Sequence, residues 1–241
     1  MRRRARRTWI EGTRLVSAYL DACGAPLTLI LSAQAAENPE VSSLVARAGI
    51  VPVVLSASLF DELADTETPQ GIAAEIAIPA SSHATEDAAQ CVFLDGVRDP
   101  GNVGAILRSA AAFGISQVVL GGGCADPWSP KVLRAAMGAH FGLHLCEATD
   151  LPQRFAAFDG ERICTVPRGG TPLDQIDVSG RHAWAFGGEG RGVRDVMAAA
   201  ATQRATIPIA RAAESLNVAI AASICLYESA RRCRVLRPQR Q

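Results

Sequence analysis

The stretch CVFLDGVRDPGNVGAILRSA, residues 91–110, decides the fold class of this chain. Its first five residues, CVFLD, form a continuous apolar run of the kind found in a strand buried on both faces of a parallel sheet. A tight turn at Asp99-Pro100-Gly101 follows, and a helical pattern then runs from about Val103 to Phe113. A buried strand, a turn and a helix together make one unit of an α/β fold.

The same alternation extends in both directions from this stretch. Downstream, strands are predicted at 117–120, 141–146, 162–166, 183–186 and 205–209. Ser129-Pro130 opens a helix, Asp150 can cap a helix through Phe158, and the last helix runs over about 215–230. Upstream, helices are predicted at 12–22 and 59–63, and Asn38-Pro39 is a cap and first-turn pair for a helix through Ala48. Strands are predicted at 27–31, 51–55 and 71–78. The small polar residues between the two series predict a linker. We therefore expect a small α/β domain over 1–80, a linker over 81–90, and a doubly wound α/β domain over 91–241.

Composition narrows the class of protein. The chain has 241 residues, of which 49% are hydrophobic and 5% aromatic, and its formal net charge is zero. No apolar stretch reaches the roughly 18 residues needed to cross a bilayer. The arginines at the start are followed by TWIEGTRLV, which is not the apolar core of a signal peptide. We therefore expect a cytoplasmic protein without a membrane span.

Cysteine and arginine usage adds two expectations. The seven cysteines form no C-x-x-C pair and the four histidines show no ligand spacing, so buried or half-buried free thiols and no metal site are expected. Arginines cluster at both ends of the chain, where they either are simply solvated or contact phosphate. They are Arg2, Arg3, Arg4, Arg6, Arg7, Arg231, Arg232, Arg234, Arg237 and Arg240.

The first polar motif, DPGNVGAILRSA, places Asn102 and Arg108 six residues apart after a buried strand. Asn102 could simply cap the helix that follows, and Arg108 could be a surface side chain. Gly104 and Ala105 allow another backbone to approach the start of this helix closely. The full pattern N-x-G-x-x-x-R after D-x-x-D-P is more specific than any of these residues alone.

Two further motifs follow later strands. FGGEGRG, residues 186–192, presents bare backbone groups around Glu189. The alternative interpretation of this sequence is an ordinary flexible turn with a solvated glutamate. In IPIARAAESLNVA, residues 207–219, a strand ends at Ile207-Pro208 and Ser215 stands where a helix cap is expected. The helix behind it is apolar on most faces, so it must be buried against its own chain or a partner subunit.

In this order and at this separation, the three motifs resemble the signature of the SpoU–TrmH family of RNA ribose methyltransferases over residues 91–230. The resemblance implies a SPOUT-class α/β domain with a deep trefoil knot, S-adenosylmethionine as methyl donor, and a homodimer formed through the knotted domain. The segments RRRARRTWIEGTRLV and TPQGIAA are similar to landmarks of the substrate-binding domain in this family, which is linked with ribosomal RNA.

The resemblance also assigns site residues. It implies a catalytic set made of Asn102, Arg108, Glu189, Ser215 and Asn217. It implies a cofactor-binding set made of Leu120, Gly121, Gly187, Gly188, Gly190, Ile207, Pro208 and Leu216. The chain departs from the family where Ala210-Arg211-Ala212-Ala213 replaces a glycine-rich segment, so that Arg211 either narrows the pocket or reaches RNA phosphate. Arg108 acts either in deprotonating the hydroxyl or in stabilising phosphate and alkoxide.

The implied reaction is methylation of a ribose 2′-hydroxyl in RNA, with 23S-type ribosomal RNA as the expected substrate. The alternatives are a transfer RNA methyltransferase, an antibiotic-resistance methyltransferase, and a non-catalytic RNA-binding or ribosome-assembly factor. A nicotinamide-dependent enzyme is disfavoured, because GGGCAD at 121–126 lacks the third glycine of the dinucleotide fingerprint. The nucleotide that is modified, and whether the RNA is naked or assembled, stay open.

Overall fold

The computed structural model describes residues 5–79, 88–210 and 212–233, and two β-sheets organise this part of the chain. The first sheet is made of the strands β1 (Arg7–Glu11), β2 (Thr28–Ser32), β3 (Val53–Leu55) and β4 (Ile72–Ala77). The helices that accompany it are α1 (Thr13–Cys23), α2 (Pro39–Ala48) and α3 (Ala57–Leu63). The strand order is β1-β4-β2-β3, with β4 antiparallel to both of its neighbours and β2 parallel to β3.

The second sheet is larger, and every strand pair in it is parallel. Its strands are β5 (Gln90–Asp95), β6 (Gln117–Leu120), β7 (His144–Glu147), β8 (Glu161–Thr165), β9 (Thr171–Pro172), β10 (His182–Gly187) and β11 (Gln203–Thr206). The accompanying helices are α4 (Pro100–Ala112), α5 (Pro130–Ala136), α6 (Leu151–Ala156), α7 (Asp195–Ala200) and α8 (Val218–Arg232). The strand order is β7-β6-β5-β10-β8-β11-β9. The predicted α/β fold with a parallel sheet is therefore confirmed.

Three predicted element starts need correction. Asp99, not Asn102, caps α4, because Pro100 takes the first helical turn and the Asp99 side chain accepts the Asn102 N–H. Asn217, not Ser215, caps α8, since its side-chain oxygen accepts two N–H groups of the first turn. The strand predicted at 141–146 begins only at His144, because Ala139–Gly142 forms a 3₁₀ turn.

Several expectations concern residues outside this description. The linker residues 80–87, Arg211 and the terminal arginines Arg2 to Arg4 and 234–240 lie outside the described residues. All seven cysteines are free; six are buried or half-buried as expected, whereas Cys23 is exposed at the end of α1. No helix within 5–79, 88–210 and 212–233 is long and apolar enough to cross a membrane.

The two sheets are joined by direct packing. Leu133 of α5 is fully buried in the core of the first sheet, and the Thr8 hydroxyl donates to the Trp128 carbonyl at 2.7 Å. The Tyr19 and Phe141 rings meet edge to face with centroids 5.2 Å apart. The first sheet therefore packs against the segment that connects β6 to β7.

One face of α8 is exposed in the single chain, where the sequence predicted burial against the chain itself or against a partner subunit. Ile220, Ile224 and Tyr227 are 53%, 37% and 48% exposed, and their spacing places them on one stripe of the helix. The other faces pack against α4 and β10, where the Trp184 indole N–H donates to the Ser229 hydroxyl at 2.9 Å. Within the described part of the chain, nothing covers this apolar stripe.

Candidate active site

A polar cluster joins three segments that are far apart in the sequence. Asn217 Nδ2 donates to Asn102 Oδ1 at 3.0 Å, and Asn102 Nδ2 in turn donates to the Glu189 carboxylate. Asn102 lies in the first turn of α4 after β5, Glu189 lies in the loop after β10, and Asn217 precedes α8. The carboxyl ends of parallel strands meet at one edge of a sheet, which is why these residues converge.

The hydrogen bonds in this cluster have a fixed direction. The Asn217 side-chain oxygen accepts the Ala219 and Ile220 N–H groups at 2.9 and 3.3 Å, so its amide nitrogen is the group that faces Asn102. Asn102 must then accept through its oxygen and donate through its nitrogen. Glu189 receives this bond as an acceptor, and its side chain is otherwise exposed toward any ligand that approaches.

The glycine loop, residues 187–192, is packed most tightly at its first two residues, where a side chain would not fit. A Cβ atom on Gly187 would lie 1.9 Å from the carbonyl carbon of Gly192 and 2.1 Å from the Val193 nitrogen, and one on Gly188 would lie 2.2 Å from the Gly96 carbonyl oxygen. Gly188 and Gly192 form an isolated antiparallel bridge, and Gly190 has a φ of 87°. The glycines expose main chain, whereas Glu189 and Arg191 carry the side chains of this loop.

A cavity of about 450 Å³ lies beside the polar cluster. It is lined by Thr165, Val166, Pro167, residues 187–192, Ala205, Ile207, Ile209, Ser215, Leu216, Asn217, Val218 and Ala221. Its volume is in the range of small-molecule and cofactor sites, and an apolar lining with a few polar groups is typical of them. Gly187, Ile207 and Leu216, which the resemblance assigned to cofactor binding, are among these lining residues.

The structure brings together most of the predicted site. Gly187, Gly188, Gly190, Ile207 and Leu216 line the cavity, together with three members of the predicted catalytic set. These three are Glu189, Ser215 and Asn217. Asn102 joins the site through its bonds to Glu189 and Asn217.

Other predicted residues are not at this cavity. Leu120 and Gly121 lie at the end of β6, on the far side of β5 from β10, and the Gly121 N–H bonds to the Leu94 carbonyl at 2.9 Å. Pro208 is exposed and does not line the cavity. Thr165, Val166 and Pro167 line it instead, and the sequence signal for them was the apolar strand ending in Val166-Pro167.

Arg108 stands apart from the polar cluster. It is exposed on α4 and forms no hydrogen bond or ion pair with another residue of the described ranges. The next residue, Ser109, faces α8 and its hydroxyl lies 2.7 Å from that of Ser223. One residue corresponds to about 100° around a helix, so Arg108 lies to the side of the α8 contact. Its guanidinium is available to an external ligand.

No metal is needed to explain this arrangement of groups. Within residues 5–79, 88–210 and 212–233, no three His, Cys, Asp or Glu side chains are close enough to hold a metal ion together. The polar side chains at the site are the amides of Asn102 and Asn217, the hydroxyls of Thr165 and Ser215, the Glu189 carboxylate and the Arg191 guanidinium. Such a set is suited to orienting polar organic ligands.

Comparison with known proteins agrees with this geometry. A sequence model described as the SpoU rRNA Methylase family matches residues 89–227, and an MRM3-like substrate binding domain matches residues 1–74. The chain is 34% identical to the 23S rRNA (guanosine(2553)-2′-O)-methyltransferase RlmP of Bacillus subtilis over 221 residues, which are 90% of this chain and 86% of that protein.

Two further similarities concern a second relative and a solved structure. The chain is 32% identical to the 23S rRNA (guanosine-2′-O-)-methyltransferase RlmB of Coxiella burnetii, covering 91% of this chain and 93% of that protein. It superposes on the AdoMet-bound rRNA methyltransferase from Sinorhizobium meliloti with a TM-score of 0.81 and 30% identity, covering 95% of this chain and 89% of the other.

Proposed function

The chain belongs to the SpoU rRNA methylase family, and on this premise we propose that it uses S-adenosylmethionine to methylate a ribose 2′-hydroxyl of large-subunit ribosomal RNA. The observation that carries the proposal is the Asn102–Glu189–Asn217 cluster beside a cavity lined by three loops. The cluster offers oriented polar groups to a ribose, and the cavity offers main-chain groups to an adenosine.

The cavity residues fit S-adenosylmethionine. The four glycines of the glycine loop present bare main chain, and Ile207, Leu216 and Val166 add apolar surface for an adenine ring. When bound, the cofactor supplies a methyl group that its sulfonium makes electrophilic. The protein then has to hold the 2′-hydroxyl in line with that methyl group, and positioning of this kind contributes several kcal/mol.

The side chains around the cavity provide that alignment. Asn102 and Glu189 form a hydrogen-bonded pair that orients the incoming ribose. Asn217 caps α8 and donates to Asn102, so it fixes the pair at the start of that helix. Arg108 carries a permanent positive charge on an exposed surface, which suits the phosphate next to the target ribose. A positive charge there also favours the alkoxide over the hydroxyl as the proton leaves.

We propose further that the protein acts as a homodimer through α8. The stripe of Ile220, Ile224 and Tyr227 is apolar, and exposed apolar stripes of this kind are typical of protein interfaces. The helix begins at Asn217, so a partner covering this stripe would lie next to the polar cluster. A second copy of the chain presents the same stripe, as a two-fold interface requires.

The proposed fold includes a trefoil knot in the second sheet. Support comes from the strand order, because the chain visits β9 at the edge, enters the centre at β10, and returns to β11 between β8 and β9. The helix α8 then returns to pack on α4 and β10. We assign residues 1–80 to RNA binding, since the match to an MRM3-like substrate binding domain supports that role.

The test is transfer of labelled methyl from S-adenosylmethionine to ribosomal RNA and, separately, to transfer RNA, followed by mapping of the 2′-O-methyl site. We expect label in ribosomal RNA, loss of transfer in Arg108→Ala, and a cofactor dissociation constant that is unchanged in that variant. Arg181→Ala is the control, because Arg181 precedes β10 at the end opposite Glu189.

Each other outcome changes a specific part of the proposal. Label only in transfer RNA would keep the chemistry and replace the substrate. Retained turnover in Arg108→Ala would refute the role of that guanidinium. Cofactor binding without transfer to either RNA would favour a non-catalytic ribosome-assembly factor.

A further inference from the structure

A buried carboxylate lies beneath the glycine loop and has no place in the catalytic set. Asp95 is the last residue of β5, and its side chain is only 1% exposed. Its two oxygens accept hydrogen bonds from a single residue, Arg194: the main-chain N–H at 2.9 Å and the side-chain Nε–H at 2.6 Å. A buried charge persists in a fold only when it is paired in this way.

The main chain of Asp95 holds the other end of the same loop. Its carbonyl accepts the Gly188 N–H at 3.0 Å, and it stands opposite Gly187 in the strand register. Thus one residue fixes both the start and the end of the segment that carries Glu189. Between these two anchor points lie residues whose glycines would otherwise give the main chain wide freedom.

We propose that Asp95 and Arg194 form a clamp that positions the glycine loop, and through it Glu189 and the wall of the cofactor cavity. Both are positioning residues, and their role in methyl transfer rests on the function proposed above. With the clamp closed, Glu189 is held where Asn102 can donate to it. With the clamp open, the Asp95 carboxylate loses its charged partner and the loop loses its C-terminal anchor.

The Arg194 side chain is also 52% exposed, so a direct contact of its guanidinium with RNA phosphate is the competing explanation. Glutamine separates the two roles. Its Nε2 is as many bonds from the main chain as the Nε of arginine, so Arg194→Gln keeps the donor to Asp95 and removes the positive charge. Arg194→Ala removes both, and Asp95→Asn places an amide nitrogen against the donors.

The experiment compares these three variants with the wild type and with Arg181→Ala. In the control residue, Arg181, Nε also donates one hydrogen bond, to the Asp159 carbonyl at 2.9 Å, but at the opposite end of β10. The measurements are S-adenosylmethionine affinity by titration calorimetry, kcat and KM for the RNA, and hydrogen–deuterium exchange of residues 187–194. The exchange measurement reports on the loop whether or not the enzyme turns over.

We expect Arg181→Ala to behave like the wild type. Arg194→Gln keeps the hydrogen bond to Asp95 but not the positive charge, so it should lose less cofactor affinity than Arg194→Ala and leave the KM for the RNA unchanged. Arg194→Ala and Asp95→Asn should lose cofactor affinity and kcat by about 10- to 100-fold, the factor that follows from losing a charged hydrogen bond. Their glycine loops should exchange faster, while KM for the RNA stays the same. A double variant that combines Asp95→Asn with Arg194→Ala should be no worse than either single variant, because both changes break one interaction.

Three results would overturn the clamp. If Arg194→Gln is as impaired as Arg194→Ala and its KM for RNA rises, Arg194 contacts RNA directly. If Arg194→Ala exchanges and binds like the wild type, the ion pair positions nothing. If the losses caused by the Asp95 and Arg194 substitutions add in the double variant, the two residues have independent roles. A wild type that transfers no methyl would count against the proposed function only, since exchange and cofactor binding still test the clamp.

Discussion

Replacing Gly187 by alanine tests how rigidly the glycine loop is packed. The added Cβ would lie 1.9 Å from the Gly192 carbonyl carbon, whereas ordinary contact begins at 3.4 Å. The segment crossing Gly187 would have to move by about 1.5 Å, and the obstacle is main chain, which cannot swing away as a side chain can. Overpacking of this kind costs about 3 kcal/mol. For a chain of this size that lowers the melting temperature by about 6–12 °C.

The same displacement should affect binding, because Glu189 lies within the segment that moves. A shift of about 1.5 Å exceeds the range over which a hydrogen bond survives, so the bond from Asn102 would be lost. We expect the S-adenosylmethionine affinity measured by titration calorimetry to fall by at least about tenfold, the factor for one hydrogen bond in a buried site.

The matched control is Gly122→Ala. An added Cβ at Gly122 meets no atom within 4 Å, and the residue has no positive φ that would oppose a side chain. We expect Gly122→Ala to melt and bind like the wild type. If Gly187→Ala also melts within about 1 °C of the wild type and binds the cofactor normally, the loop is not rigidly packed and the reasoning is wrong.

Two further predictions concern pH and oligomeric state. Burial lowers the pKa of His140 to about 4 from 6.5, so the unfolded chain takes up its proton first as the pH falls. His140 should therefore lower the unfolding free energy by about 3 kcal/mol between pH 6.5 and 4, as measured by denaturant titrations. The decrease should be smaller in His140→Gln. If the unfolding free energy falls equally with pH in both proteins, His140 is not the cause. Ile224→Glu should convert a dimer to a monomer in sedimentation experiments, while Val51→Glu, at a 92% exposed position just before β3, should not. A wild type that is already monomeric would remove the basis for the α8 interface.

Buried parallel strands were the easiest elements to predict from the sequence. The segments at 91–95 and 117–120 are continuous apolar runs, and both are strands in the structure. Helix starts with a single polar candidate were also predicted correctly: Asn38, Ser129 and Asp150 each accept an N–H group of the following turn. In these cases the local sequence alone decides the conformation.

The sequence predictions fail where two residues could each cap the same helix. They also fail where tertiary packing, and not the local sequence, decides whether an element forms. Asp99 and Asn102 can both cap a helix, and so can Ser215 and Asn217; the choice depends on where the chain enters the turn. The strand β1 was missed because arginines precede it and its partner strand β4 is distant in the sequence, with Arg7 opposite Ala77 and Glu11 opposite Ala73. The helix α7 was missed because it directly follows the glycine loop.

The site residues illustrate a second kind of limit. Motifs identified Asn102, Glu189 and Asn217 without showing that they form one directed hydrogen-bond chain. Leu120 and Val166 each follow an apolar strand, and nothing local tells which strand neighbours β10. The sheet places β8 beside β10 and β6 beyond β5, so Val166 lines the cavity and Leu120 does not.

The position of the site follows from the point where the strand order changes direction. From β5 the chain moves outward through β6 to β7, whereas β10, β8 and β11 lie on the opposite side of β5. Connections that leave β5 and β10 therefore diverge, and a crevice opens at the carboxyl ends of these two strands. Asp95 ends β5 and Gly187 ends β10, and the two residues stand side by side in the sheet. An ion pair that joins the loops after these strands therefore lies at this crevice. The geometry of the sheet thus brings the catalytic amides, the cofactor wall and the clamp to one place, although Asn102 and Asn217 alone are 115 positions apart in the chain.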